Sequence, residues 1–110
     1  MRLNIERINP IKRAKVEKGI DLIEKCNAKE KVVDKMIIFG SATRNECTEE
    51  SDIDVCLVSD YSTTNNVYCE VFGGLEIAMD DLVDVLNFKR MGDKLRNEVL
   101  KNGVIVYEYR

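Results

Sequence analysis

The segment "SDIDVCLV", Ser51 to Val58, carries two aspartates with one isoleucine between them. Side chains alternate across a strand, so Asp52 and Asp54 share one face while Ile53 points to the other, into a core. The run that follows is apolar and rich in β-branched residues, which puts the carboxylates at the edge of that core. Like charges held side by side there repel, and a bound cation removes the cost. An Asp-x-Asp pair alone also describes an ordinary solvent-facing strand end. A second feature separates the two cases. In "IIFGSATR" an apolar run stops at Gly40-Ser41. Glycine lets a backbone approach a phosphate closely. A helix starting at Ser41 would aim free N–H groups and its positive end at the same spot.

Phosphate donors on one side and paired carboxylates on the other describe a site for a metal–triphosphate. Magnesium prefers oxygen ligands and commonly binds through one or two carboxylates plus substrate phosphates. Two such ions, about 3.5–4 Å apart, can stabilise the attacking and leaving oxygens together.

These groups need a scaffold, and the chain supplies its signals. Asn9-Pro10 reads as a helix start, with Asn9 at the cap and Pro10 at the first helical position. Val16, Ile20 and Ile23 recur at helical spacing, Gly19 weakens the helix a little, and the end is expected near Asn27. Met36–Phe39 and Ile53–Val58 read as buried strands, and Asp60–Asn66, "DYSTTNN", as a loop. Val67–Met79 is ambiguous: Val71, Leu75 and Met79 fit a helix, yet Gly73-Gly74 interrupts it. Leu82–Phe88 reads as a third strand. "GDKLRNEVLKNG" reads as a short helix with Gly103 beyond its end, and Val104–Glu108 as a closing strand. Strands alternating with helices indicate an α/β or α+β sandwich.

Composition bounds the function. A length of 110 residues suggests one domain over residues 1–110, and 45% hydrophobic residues suffice for one core. A net charge of −3 gives no sign of a general nucleic-acid binder, so no direct nucleic-acid binding is expected. Lys12, Arg13, Lys15 and Lys18 are a local exception, expected as a solvated helix face, with a contact to an acidic partner as the alternative. Cys26, Cys47, Cys56 and Cys69 show no Cys-x-x-Cys spacing and the chain has no histidine, which argues against a zinc site. No N-terminal stretch resembles a signal peptide, and none reaches transmembrane length. The expectation is a cytoplasmic protein, with no membrane association, whose thiols are free and whose Cys56 packs as a small hydrophobe.

"GSATRNECTEESDIDV" resembles the signature of the minimal nucleotidyltransferases, the small members of the DNA polymerase β-like superfamily. That signature is Gly-Ser, a short helical turn, a loop, then Ser-Asp-x-Asp leading a strand. Gly40, Ser41, Ser51, Asp52 and Asp54 match it in identity and spacing. The family commonly has glycine where this chain has Asn45, and asparagine tolerates the left-handed conformation better than most residues. The resemblance covers roughly Met36 to the C-terminus. It implies an α+β nucleotidyltransferase fold, a small mixed β-sheet packed against helices on one side.

The resemblance also implies a third carboxylate on a later strand. The candidates are Asp80, Asp81 and Asp84, with Glu76 a distant fourth. Asp84 is preferred, because Val83 and Val85 give it the same in-strand setting as Asp54. Asp80 and Asp81 are expected to face solvent or cap the strand. By the same resemblance, Asp52 and Asp54 would bind two Mg²⁺ ions with ATP as substrate, and Asp84 would complete the metal site on the acceptor side. Gly40 and Ser41 would hold the β- and γ-phosphates. Arg44 could reach a phosphate or serve the surface, and Ser51 belongs to the nucleotide-binding motif.

The implied activity is Mg-dependent transfer of a nucleoside monophosphate, most simply AMP from ATP, to a hydroxyl acceptor. A stand-alone chain of this size resembles the antitoxin partners of HEPN-type helical toxins, which implies a hetero-oligomer and a tyrosine acceptor on the partner protein. Two alternatives come from other classes. One is a non-catalytic antitoxin module that neutralises its partner by docking, with a vestigial nucleotide site. The other is a receiver-like α/β domain phosphorylated on aspartate, for which the Gly-Ser-to-Asp-x-Asp spacing is unsuited.

Overall fold

Met36, Ile38, Val55 and Leu57 turn their side chains to one face of a four-stranded sheet, and the helices that cover them set the architecture. The computed structural model describes all residues, Met1–Arg110. In chain order the main elements are α1 (Pro10–Lys29), β1 (Lys35–Phe39), β2 (Ile53–Val58), α2 (Asn66–Met79), β3 (Val83–Asn87), α3 (Asp93–Asn102) and β4 (Val104–Glu108). The sheet order is β3-β2-β1-β4. β1 is antiparallel to β2 and β4, whereas β2 and β3 are parallel. A parallel pair needs a crossover, and α2 provides it. This is the expected α+β fold, a small mixed sheet with α1 and α2 packed on one face. A second, smaller apolar cluster lies on the opposite face, where Val99 of α3 packs with Ile37, Phe39, Cys56 and Met91.

Asn9 caps α1 by accepting the Ile11 N–H, and Pro10 occupies the first turn. The helix continues to Lys29, slightly past the expected end. Its last turn includes Asn27, whose buried amide accepts from the Val32 and Val33 N–H groups and donates to the Val33 carbonyl and the Tyr107 hydroxyl. The residues before β1 are thereby tied back to the helix. Gly19 has a packing reason: a Cβ there would lie 2.8 Å from Met79 Sδ, so glycine lets α2 approach α1.

The ambiguous segment Val67–Met79 is helical throughout. Tyr68, Val71, Leu75 and Met79 form its buried stripe, and burial of that stripe outweighs the roughly 1 kcal/mol that each interior glycine costs. Asn65 caps its start, and Asp80 ends it in the left-handed conformation, φ +52°. No helix is long and apolar enough to cross a membrane. All four cysteines are free, with Cys69 exposed, and burial pushes the Cys56 thiol up to about 12.

Two expectations need correction. Lys12 does not belong to a solvated face; it is fully buried. Its ammonium donates to Asp81 Oδ2 at 2.6 Å and to the Glu49 carbonyl at 2.9 Å. Of the two settings expected for Asp81, solvent is wrong and capping is right: the carboxylate accepts the Leu82 N–H at 2.8 Å just before β3 and lies against Lys12. Lys15 joins it at 3.3 Å, and the side chain is only 11% exposed. Burial alone would raise the Asp81 carboxyl, but hydrogen bonds from Lys12, the Leu82 N–H and Lys15 hold it below its ordinary 3.8. A depressed carboxyl contributes stability above its ordinary value and loses it as pH falls through the lower, folded-state value.

Removing Lys12 leaves Asp81 only the longer Lys15 contact and the Leu82 N–H, deprives the Glu49 carbonyl of its donor and empties the space of the buried stem, so Lys12→Ala is expected to cost about 2–4 kcal/mol in urea unfolding. Lys18→Ala, on the exposed side of α1, should stay within about 0.5 kcal/mol. The double change Lys12→Met, Asp81→Leu should recover most of the loss; no recovery would mean that packing of the lysine stem, not charge pairing, holds this junction.

Candidate active site

The end of β1 and the starts of β2 and β3 lie abreast, so three chain segments meet at one edge of the sheet. Phe39 pairs with Asp54 across the antiparallel ladder, and Asp54 pairs with Asp84 across the parallel one. Ile53 is fully buried among the α1 and α2 side chains, so alternation turns Asp52, Asp54 and Asp84 to the opposite face. Asp54 is half-buried, whereas Asp52 and Asp84 are exposed. Burial pushes the Asp54 carboxyl up, and the charges of Asp84 and Asp52 push it further; Arg44 opposes them. No ion pair engages any of the three carboxylates. They do not converge into a ready-made cage: no group of three or more His, Cys, Asp or Glu side chains is placed to hold a metal ion.

After Phe39 the chain enters a short 3₁₀ turn, Gly40–Thr43, rather than a longer helix. Gly40 has φ +72°, and a Cβ there would sit 2.1 Å from Asp54 Oδ2. Glycine is required twice, by the left-handed backbone and by the carboxylate against it. Ala42 anchors the turn in the core, and its carbonyl accepts the Asn9 N–H at 2.8 Å. The Asn9 amide donates to the Arg44 carbonyl at 2.8 Å, so the α1 cap residue also clamps the turn.

Ser51 ties down the loop before β2, accepting the Thr48 N–H at 3.0 Å. Arg44 is half-exposed and pairs with Glu46 at 3.2 Å. Asn45 does not replace glycine in a left-handed conformation; only Asn4, Gly40 and Asp80 have positive φ. Of the four candidates for the third carboxylate, Asp84 alone lies beside Asp54. Asp81 belongs to the Lys12 junction, Asp80 ends α2, and Glu76 is exposed on that helix.

Lys12, Asp81 and Asn9 were not legible as supports of this edge. One signal was available for Lys12, which precedes Val16 and Ile20 at four-residue spacing and so falls on the buried stripe. A larger cavity of about 490 Å³ lies between α2, β3 and α3. Leu86, two residues beyond Asp84 on the same face of β3, forms part of its wall.

Two substitutions test this geometry. Gly40→Ala is expected to destabilise the fold by about 1–3 kcal/mol through backbone strain, with a further penalty from Asp54. Adding Asp54→Ala should return part of that loss, and a double-mutant cycle with no coupling would contradict the contact. Asp54→Asn should raise the melting temperature at neutral pH. The sign follows from the raised carboxyl: its ionised form is disfavoured in the folded state, so stability falls as pH rises above the ordinary 3.8. The advantage of asparagine should vanish below that pH.

Comparison with known proteins relates the chain and its fold to others. The family profile described as polymerase beta, nucleotidyltransferase, matches residues 11–110. A candidate protein adenylyltransferase from Methanocaldococcus jannaschii is 31% identical over 72 residues, 66% of this chain and 53% of that protein. The chain thus spans about half the length of this curated relative. The fold is similar to a chain of a toxin–antitoxin complex with AMP-PNP, at TM-score 0.67 and 21% identity over 86% of this chain and 73% of that one. It is similar to a chain of a Shewanella oneidensis complex between a tri-AMPylated HEPN toxin and an MNT antitoxin, at TM-score 0.59 and 19% identity over 86% and 73%. A candidate minimal nucleotidyltransferase gives TM-score 0.60 at 20% identity, over 93% of this chain and 95% of that one. At such identities these structures share a fold. The family profile, by contrast, spans the sequence from Ile11 onward, and the chain belongs to the polymerase β-type nucleotidyltransferase family.

Proposed function

We propose that this chain transfers AMP from ATP to a hydroxyl on a partner protein, and that the partner is a HEPN-type helical toxin for which the chain is the antitoxin. The observation that carries the proposal is the alignment of Gly40, Asp54 and Asp84 at one sheet edge. Family membership supports nucleotidyl transfer. The protein acceptor draws on the candidate protein adenylyltransferase among its relatives and on the shared fold with a chain from a complex whose HEPN toxin is AMPylated.

A divalent cation fits the donor set. The three carboxylates are oxygen donors without ion-pair partners, and the charge on Asp54 is disfavoured until a cation arrives. Magnesium commonly binds through one or two carboxylates and takes substrate phosphates and water as its other ligands, so such a site would draw on the nucleotide as well as on the protein. Asp52 and Asp54 would hold two Mg²⁺ ions, with Asp84 on the acceptor side. When bound, the ions would neutralise phosphate charge and make the α-phosphorus easier to attack.

Gly40 and Ser41 would hold the β- and γ-phosphates. The acceptor oxygen forms a bond to the α-phosphorus, the bridging α–β P–O bond breaks, and its electron pair leaves with pyrophosphate. The hydroxyl proton passes to Asp84. The acceptor side chain would lodge against Leu86, at the cavity beyond Asp84. Catalysis of this kind is mostly positioning and charge neutralisation.

Mg-ATP at millimolar concentration should raise the melting temperature by linkage, and no shift would count against a nucleotide site. Co-expressed with its partner, the wild type should add one or more AMP units to the partner's intact mass. Asp52→Asn with Asp54→Asn should abolish the gain without unfolding the chain. Asp84→Asn should abolish transfer yet keep ATP binding. A double mutant that neutralises the partner as well as the wild type, with partner mass unchanged in both, would replace catalysis with docking.

A further inference from the structure

Beyond Asp84, β3 leads into the cavity of about 490 Å³ between α2, β3 and α3. That volume is on the scale of a small-molecule pocket and exceeds what one acceptor side chain fills. Phe72, Leu86 and Leu95 supply apolar wall, and Tyr68 and Asn87 a polar end. Tyr68 is buried; its hydroxyl accepts from the Asn87 amide at 3.0 Å, yet no acceptor in the chain takes its own proton. A buried donor without an acceptor is costly, so an incoming oxygen is favoured there. The rim is basic. Lys89–Arg96 carries four cationic side chains against one carboxylate, Asp93, in a chain of net charge −3. Lys89 pairs with Asp60, and the Arg96 guanidinium donates to the Phe88 and Lys89 carbonyls. Arg90, a wall residue, and Lys94 are exposed and have no carboxylate within ion-pair distance. Burial pushes the Tyr68 hydroxyl up, while the Asn87 hydrogen bond and the Arg90 charge pull it down, so that charge acts on the polar end of the cavity. α3 starts at the same rim, where Gly92 caps it and leaves its first N–H groups without a side-chain acceptor.

We infer that this cavity anchors the acceptor protein by an extended segment in which an apolar side chain and then a carboxylate lie to one side of the acceptor hydroxyl, an inference that rests on the transfer proposed above and specifies its acceptor. β3 has no strand on its outer side, so an extended segment finds open backbone groups to pair with. Spacing sets the order of the anchors. Residues advance by about 3.3 Å along a strand, which puts Leu86 about 7 Å and Asn87 about 10 Å from Asp84. A segment with its hydroxyl at Asp84 therefore brings a residue two or three positions away to the apolar wall. One or two positions further reach the rim at Arg90 and the start of α3. Charge sets the direction. A carboxylate beside Asp52, Asp54 and Asp84 is repelled, whereas unpaired cations and a helix N-terminus attract it at the rim. The Tyr68 proton is left for an oxygen of the same segment.

The probes are two synthetic peptides, titrated calorimetrically into the full chain without nucleotide. Each has one tyrosine and a leucine three residues from it; two residues further, one carries glutamate and the other lysine. Both are made in either chain direction, because a segment can run both ways along β3. In one direction wild type should bind the glutamate peptide about tenfold more tightly, the equivalent of one charge-assisted hydrogen bond. Arg90→Glu changes an exposed, unpaired residue, so it should fold normally and reverse the preference, which a merely structural arginine would not do. Equal affinities for the two peptides, no binding of either at millimolar concentration, or an unchanged preference in Arg90→Glu would overturn the anchor. Octanoate binding as tightly as the glutamate peptide would overturn it in favour of a small apolar acid. A concentration-dependent dimer that Arg90→Glu dissolves would overturn it in favour of a second copy. With Mg-ATP added, the two proposals separate. Charge-dependent binding without AMP on the tyrosine keeps the anchor and rejects the enzyme. AMP transfer indifferent to peptide charge and to Arg90→Glu keeps the enzyme and rejects the anchor.

Discussion

The buried ammonium of Lys12 is the fixed point of the carboxylate edge. It joins α1 to Asp81, in the turn between α2 and β3, and to the Glu49 carbonyl, in the loop before β2. Those two segments lead into the strands that carry Asp54 and Asp84. A charge taken out of water must keep its partners, so both segments are held to the helix. The strand starts then come into register: the Ile53 N–H donates to the Leu82 carbonyl at 2.9 Å, and Asp54 falls opposite Asp84. A salt bridge outside the site thus sets the spacing inside it.

The elements that periodicity identified well are those whose burial is one-sided and uninterrupted. Ile53–Val58 and Val104–Glu108 are strands over the expected residues, because alternation and β-branching agree there. Val67–Met79 was harder to read, because Gly73-Gly74 lowers local helix propensity while the buried stripe raises helix stability through tertiary contact. Local sequence carries the first effect and only the packed fold carries the second. The same holds for Lys12 and Asp81. Each alone is a residue that belongs in water, and the reason for burying them is a partner distant in the chain. Asn45 shows the opposite error: the turn after Gly40 needs no second left-handed residue, so a departure from the family pattern there carries no backbone strain.

The segment from Gly40 to Arg44 divides acid from base. Asp54 presses against Gly40, while Thr43 and Arg44 face a cleft shared with Arg7 and Arg13. Glu46 pairs with Arg44, yet Arg7, Arg13 and Asp54 have no ion-pair partner, although opposite charges lie so close in sequence. Collapsing them into salt bridges would require the turn to move, and Ala42 in the core and the Asn9 clamp prevent that. Rigidity here maintains a separation of charge, a different service from maintaining stability.

The two margins of the sheet are unequal. Residues Met1–Leu3 run along β4: Arg2 bridges to Tyr107, and the Leu3 N–H donates to the Val106 carbonyl at 2.9 Å. That margin is closed by the chain itself. β3, last in the strand order, has no neighbour on its outer side, and Leu82 and Leu86 are exposed along it. An open, apolar strand is a template on which identical copies add end to end as aggregates. Asp84 interrupts the run between Val83 and Val85 with an exposed negative charge, and stacking copies in register would bring like charges together. The residue assigned to chemistry is therefore also a gatekeeper of solubility. Neutralising it would remove the principal electrostatic guard from the one margin that the fold leaves bare.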